Sequence, residues 1–232
     1  MRKIVPAPVI VMALGLMAAS PALAQGDHKI NLGIGYFSPR GEDARSDRDV
    51  LIENRTFLTF DISELGNVFV NGEYLFGLTE YLEAGIGLGY YKGSVPSLYT
   101  DYVDIDGSEI EQEFSLRIVP ITASVRFLPL GRFASVQPYV GAGLGILPWK
   151  YSEIGEFVDF ADFSIFQGRF IDSGTALGPV ILGGVNFNLG DRYGVGGEIR
   201  YQRGEGELSD DFLNDRIDLG GITYQAVFQI KF

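Results

Sequence analysis

From Ile222 to Phe232 apolar and polar residues alternate one for one. Ile222, Tyr224, Ala226, Phe228, Ile230 and Phe232 share one side, and Thr223, Gln225, Gln229 and Lys231 dominate the other. Strict alternation marks a strand with one apolar and one polar face. The same period sets Ile30, Leu32, Ile34 and Tyr36 against Asn31, Gly33 and Gly35. It recurs in Leu82, Ala84, Ile86, Leu88 and Tyr90 against Glu83, Gly85, Gly87 and Gly89, and again between Tyr193 and Gln202. In all, the pattern predicts eight strands, over 28–38, 67–77, 80–92, 113–128, 135–147, 176–188, 192–203 and 218–232.

These strands run to roughly 10–16 residues, where soluble strands usually have ~5–6 and a tilted membrane-crossing strand needs ~9–11. Short, Gly-bearing turns at 77–79, 128–134 and 189–191 alternate with long polar connections at 39–66, 93–112, 148–175 and 204–217. One rim therefore carries turns and the other loops, which is the layout of a membrane barrel. The predicted fold is all-β: an eight-stranded antiparallel up-and-down transmembrane β-barrel, with both ends of the chain on the turn side. Aromatic residues suit two interfacial girdles, with Tyr36, Tyr90 and Trp149 toward the loops and Tyr74, Phe127, Tyr193 and Phe228 toward the turns.

The first residues read differently. Arg2 and Lys3 precede an apolar run from Ile4 to Ala19, and Ala22-Leu23-Ala24 supplies a small-x-small cleavage pattern. Residues 1–24 are expected to be a secretory signal peptide, leaving 25–232 as the barrel. Losing Arg2 and Lys3 moves the formal net charge from -12 to -14, so nucleic acid is not an expected partner. The absence of Cys excludes disulfides and thiolate chemistry.

The chain resembles the small eight-stranded outer-membrane β-barrels, the OmpA-like transmembrane class without a peptidoglycan-binding domain. The resemblance is carried by the final strand Tyr224–Phe232 and by the Gly-rich hairpin Gly72–Tyr90. It implies a Gram-negative-type outer-membrane location, contact with outer-membrane lipid and lipopolysaccharide, and no resident cofactor. It also implies that Tyr224, Phe228, Ile230 and Phe232 form a signal read by the barrel-assembly machinery. The continuous apolar outer face suits a monomer.

With the apolar set facing lipid, Glu73, Glu83, Arg126, Glu198, Arg200 and Lys231 face inward, toward the turn side. Buried charges are tolerable only when paired, and an eight-stranded barrel is just wide enough for side chains to fill it. An ion-pair network closing the lower lumen is expected. Higher up, three strands turn glycine-rich on the inside, which leaves room for an inward-folded loop or a small hydrophobic ligand near Gly87, Gly89, Tyr91, Tyr139 and Gly143.

Pro120 coincides with an apparent change of face between Leu116/Ile118 and Val119/Ile121/Val125, so a β-bulge is expected there. A lateral gap near Pro120, Pro138 or Pro179 would favour a carrier of hydrophobic molecules. The row Phe157, Phe160, Phe163, Phe166 and Phe170 predicts a short amphipathic helix over the mouth. Asp101, Asp104, Asp106, Glu109, Glu111 and Glu113 make an acidic loop that lacks a clean calcium-loop spacing, so no metal site is expected. Some barrels of the resembled class are lipid-modifying enzymes with a His–Ser pair. Here the sole histidine, His28, falls on the turn side, away from outer-leaflet lipid. A structural and surface-interaction barrel is the leading reading, a hydrophobic carrier the alternative, and enzymatic activity is not expected.

Overall fold

The computed structural model describes residues 28–104 and 106–232. The expected signal peptide lies outside them. Twelve strands and one α-helix follow in chain order: β1 His28–Pro39, α1 Val50–Asn54, β2 Leu58–Thr59, β3 Asn67–Gly77, β4 Leu82–Val103, β5 Glu109–Ile118 and β6 Ile121–Phe127. They continue as β7 Val136–Val158, β8 Ile165–Leu189, β9 Tyr193–Gln202, β10 Glu205–Glu207, β11 Arg216–Asp218 and β12 Gly221–Lys231.

The wall is a closed antiparallel ring of eight strand positions. β1 pairs with both β3 and β12, β4 with β3, β7 with β8, and β9 with β8 and β12. β5 and β6 share one position between β4 and β7. Closure leaves no unpaired edge around the ring, which a strand bundle in lipid requires. Outside, Ile34, Ile86, Leu144 and Ile181 stand 58–70% exposed in one band, an apolar surface that a water-soluble barrel would bury.

No bulge forms at Pro120. Tyr91 faces Ile118 and Leu88 faces Ile121 in one unbroken register, and on the other side Ile118 faces Trp149 and Ile121 faces Ile146. The proline interrupts the hydrogen-bond ladder without slipping it; its carbonyl still accepts from the Gly89 amide at 2.8 Å. What changes sides is the chemistry. Below Pro120 the outward residues Ile121, Ala123 and Val125 are apolar and the inward Thr122, Ser124 and Arg126 are polar. Above it, inward Phe114, Leu116 and Ile118 are buried while outward Glu113 and Arg117 are exposed. The lower wall is amphipathic for a membrane and the upper wall for water.

That inversion explains why the long connections at 93–112 and 148–175 are mostly strand. β4, β7 and β8 have 22, 23 and 25 residues, about twice the ~9–11 that a bilayer crossing needs. Their upper halves form two tall hairpins standing clear of the apolar band. The expected amphipathic helix is absent: β7 runs through Phe157 and β8 resumes at Ile165, with Phe163 at φ 61° in the tip. Phe157 and Phe166 face each other across the hairpin, ring centroids 5.7 Å apart, and Phe170 packs edge-on against Phe157 at 4.9 Å. Cross-strand aromatic pairing, favoured by neighbouring Val158, Ile165 and Ile171, overrides the three-residue spacing.

Candidate functional site: the barrel interior

Arg126 on β6 points into the lower lumen and is 1% exposed. It donates to Glu73 on β3 and, at 2.8 Å, to Glu198 on β9. Glu198 also accepts from Tyr139 at 2.9 Å, from Gln225 at 2.8 Å and from Arg200 at 2.9 and 3.1 Å. Arg200 reaches Glu73 at 3.6 Å and Thr122 Oγ1 at 3.3 Å, and Ser124 donates to Glu73 at 3.2 Å. The Arg126 guanidinium sits 4.6 Å from the Tyr139 ring centroid, a cation–π contact. Two carboxylates and two guanidiniums from β3, β6 and β9 thus neutralise one another across the lumen, with Tyr139 of β7 and Gln225 of β12 bonded to the same cluster.

Four of the six charged residues expected inside converge here. The other two do not. Glu83 pairs with Lys29 at 2.5 Å, and Lys29 also reaches Gln137 Oε1 at 3.4 Å. Lys231 is bonded to Asn188 nearer the turn-side rim. Lys29 is the residue that sequence reasoning missed. Its inward parity with Asn31 and Gly33 on β1 was available, but it precedes the first clear alternation.

A family model describing an outer membrane protein β-barrel domain matches residues 9–224. The chain belongs to this outer-membrane β-barrel family. Solved outer-membrane proteins share its fold. The outer membrane protein OprG from Pseudomonas aeruginosa superposes with a TM-score of 0.52 at 12% identity, covering 90% of this chain and 96% of that one. Neisserial surface protein A gives 0.51 at 12% identity, covering 90% and 100%. No curated protein matches the sequence. The protein is accordingly an outer-membrane barrel, with loops on one rim and turns on the other.

In this outer-membrane barrel the glycines do not leave an empty upper lumen. A Cβ on Gly87 would lie 2.9 Å from Thr122 Oγ1, and one on Gly89 would lie 2.6 Å from Phe69 Cζ. A Cβ on Gly143 would lie 2.8 Å from Ser124 Cα. The glycines admit neighbouring side chains and backbone rather than a shared ligand space. Tyr91 and Tyr139 also part company: the Tyr91 hydroxyl donates to the Leu65 carbonyl above, and Tyr139 to Glu198 below.

The barrel mouth is filled from the first connection, 40–66. Val50, Leu51 and Leu65 are fully buried, and they pack with Phe69, Phe114, Leu147 and Trp149 in one apolar cluster. Trp149 therefore faces inward rather than into a lipid girdle. Asp49 caps α1 by accepting from the Leu51 amide at 2.9 Å. It also accepts from Arg45 at 2.8 Å and from the Asp218 amide at 2.6 Å, tying this plug to β11. Asn54 and Tyr151 donate to Glu153 Oε1 at 2.7 and 2.9 Å, tying it to the upper part of β7. Burial raises the Asp49 carboxyl above the usual carboxylate range despite the Arg45 charge. Burial likewise raises Glu153, opposed by its bonds from Asn54 and Tyr151.

Tyr224, Phe228 and Ile230 lie on the lipid side of β12, with Phe228 stacked on Tyr193 at 5.8 Å and Phe232 on His28 at 6.3 Å. His28 Nδ1 lies 2.5 Å from the Tyr74 hydroxyl at the turn-side rim. Glu109, Glu111 and Glu113 alternate along the outer face of β5. Among the described residues, no group of three or more His, Asp or Glu is gathered as metal ligands would be.

Proposed function

We propose that this outer-membrane barrel is a structural and surface-interaction protein whose lumen is closed to ions and solutes. The observation that supports this reading is the Arg126–Glu73–Glu198–Arg200 cluster, which spans the lumen with side chains at most 4% exposed. The plug of residues 40–66 adds a second obstruction above it. What remains for interaction is the crown of tall hairpins, where Phe160 and Phe163 are more than half exposed beside Asp159 and Asp162. Lipid and lipopolysaccharide surround the band, and the barrel-assembly machinery reads the outer side of β12 during insertion. The barrel acts as a monomer. The test is single-channel conductance of the refolded chain in a planar bilayer. A silent wild type is expected, and steady conductance would overturn the closed-lumen reading.

A second reading, passage of small hydrophobic molecules, has one observation in its favour. The regular β8–β9 pairing ends at Val180–Gln202, beyond which only the Pro179 carbonyl accepts from the Arg203 amide at 3.1 Å, whereas pairing continues past Pro120 and Pro138. A cleft of about 390 Å³ lies there, lined by Leu177, Pro179, Arg203 and Gly204. Behind it, Gly204 and Gly206 pack against Leu147 and Trp149. A disulfide joining cysteines introduced at Pro179 and Arg203 would abolish uptake of a hydrophobic dye under this reading and leave it unchanged under the first.

A further inference from the structure

Outside the wall, just above the apolar band, three cations stand side by side. Lys92 on β4 pairs in register with Arg117 on β5, and Arg117 with Lys150 on β7. All three have outward parity, opposite to the buried neighbours Tyr91, Leu116 and Trp149. Adjacent strands lie only ~4.8 Å apart, and like charges directly opposite one another destabilise a sheet. In a chain of net charge -12 such a row is unexpected. Among the described residues none of the three has a carboxylate within salt-bridge distance, nor does Arg169 nearby.

These residues border a cleft of about 320 Å³ that also includes Ser115 and Ser152 one row higher. The single carboxylate on its edge, Glu113, stands another row up, level with Arg169 and separated from it by Ile154. Immediately below the cations come Tyr90 and then Leu88, Ile121 and Ile146, which open the lipid-facing band. The row therefore sits at the height where hydrocarbon gives way to headgroups, where aromatic residues mark the interface.

We infer that Lys92, Arg117 and Lys150 form a docking site for the phosphate groups of an anionic lipid headgroup in the leaflet around the loop-side rim. Cations at this height attract anionic headgroups, and above them the Ser152 hydroxyl supplies a further donor to a phosphate oxygen, Ser115 being bonded to Ser94 at 2.5 Å. Of the acidic residues between 101 and 113 only Glu113 borders the cleft, two rows above the cations, and Glu109 and Glu111 stand higher still on β5. The inference rests on the membrane placement of the barrel and not on whether its lumen conducts.

The test uses the chain refolded into nanodiscs of phosphatidylcholine with a minor fraction of lipid A, a phosphorylated lipid, and follows lipid A retained after exchange into excess phosphatidylcholine. Wild type retains it, and the K92Q/R117Q/K150Q variant loses about tenfold or more of that retention. R192Q, which removes an exposed cation at the opposite rim, leaves it unchanged. The single variants K92Q and K150Q each show part of the loss, which keeps the test open if the triple variant refolds poorly. Equal retention in wild type and variants overturns the proposal. Displacement of lipid A by millimolar inorganic phosphate also overturns it, because the site would then serve a free anion rather than a lipid.

Discussion

Arg126 and Glu198 meet at 2.8 Å although 72 residues and two intervening wall strands, β7 and β8, separate them. The bond crosses the lumen as a chord, so it constrains the ring in a way that the backbone ladder does not. Removing Arg126 alone leaves Glu73 and Glu198 buried with one guanidinium between them, that of Arg200, 3.6 Å from the first and 2.9 Å from the second. R126A should lower unfolding stability by about 3–5 kcal/mol, the usual consequence of breaking one side of a buried pair. Urea titration of the refolded barrel measures it. R126M combined with E73Q should recover much of the loss, because fewer charges are stranded.

The plug at the mouth should behave as a separate cooperative unit. Leu51 is fully buried beneath the tall hairpins, and L51A should destabilise the plug by about 2–5 kcal/mol through lost contacts and the cavity left behind. Amide hydrogen exchange should then speed up across 44–66 while β1, β9 and β12 keep their protection. Uniform acceleration through the whole barrel would show that plug and wall unfold together.

Acidity should tighten this plug. Asp49 and Glu153 have carboxyls raised by burial, so the folded state binds protons more strongly than the unfolded chain does. Stability is therefore gained as pH falls through the folded values, and it levels off below the unfolded ones. Above the folded values both carboxylates are charged and desolvated, and that stability is lost. Plug melting followed against pH should show this rise on acidification, and E153Q should flatten part of it. A plug that loosens on acidification over that window would contradict the burial of these groups.

The legibility of the chain follows the solvent on its outer side. In β1, β3, β9 and β12 the outside is hydrocarbon, so apolar residues on alternate positions disclose both strand and facing. From Lys92 upward on β4, and above Pro120 on β5, the outside is water and the rule inverts. Reading apolar as outward then ends the strands too early and turns the inversion at Pro120 into a bulge. The lumen cluster was readable where parity was clean, as at Glu73, Arg126 and Glu198. The pairing of Glu83 with Lys29 depends on barrel curvature and height, which no local pattern encodes. The phenylalanine row misled for a related reason: a spacing of three suits one helix side, but hairpin register decides which rings meet.

Trp149 offers the sharpest check on that inversion, being the sole tryptophan of the chain. Its indole is 4% exposed and faces inward at the height where an interfacial girdle would place it in lipid. Brominated lipids should therefore quench its fluorescence weakly, and acrylamide should also reach it poorly while the plug is closed. Gly206 lies directly over the ring, where a Cβ would stand 2.7 Å from Cζ2. G206V should force the segment that includes β10 away from the indole, shift its emission to the red and admit acrylamide, with little change in lipid quenching. Strong quenching of the wild type by brominated lipid would place Trp149 on the outer face and reverse the parity of the whole upper wall.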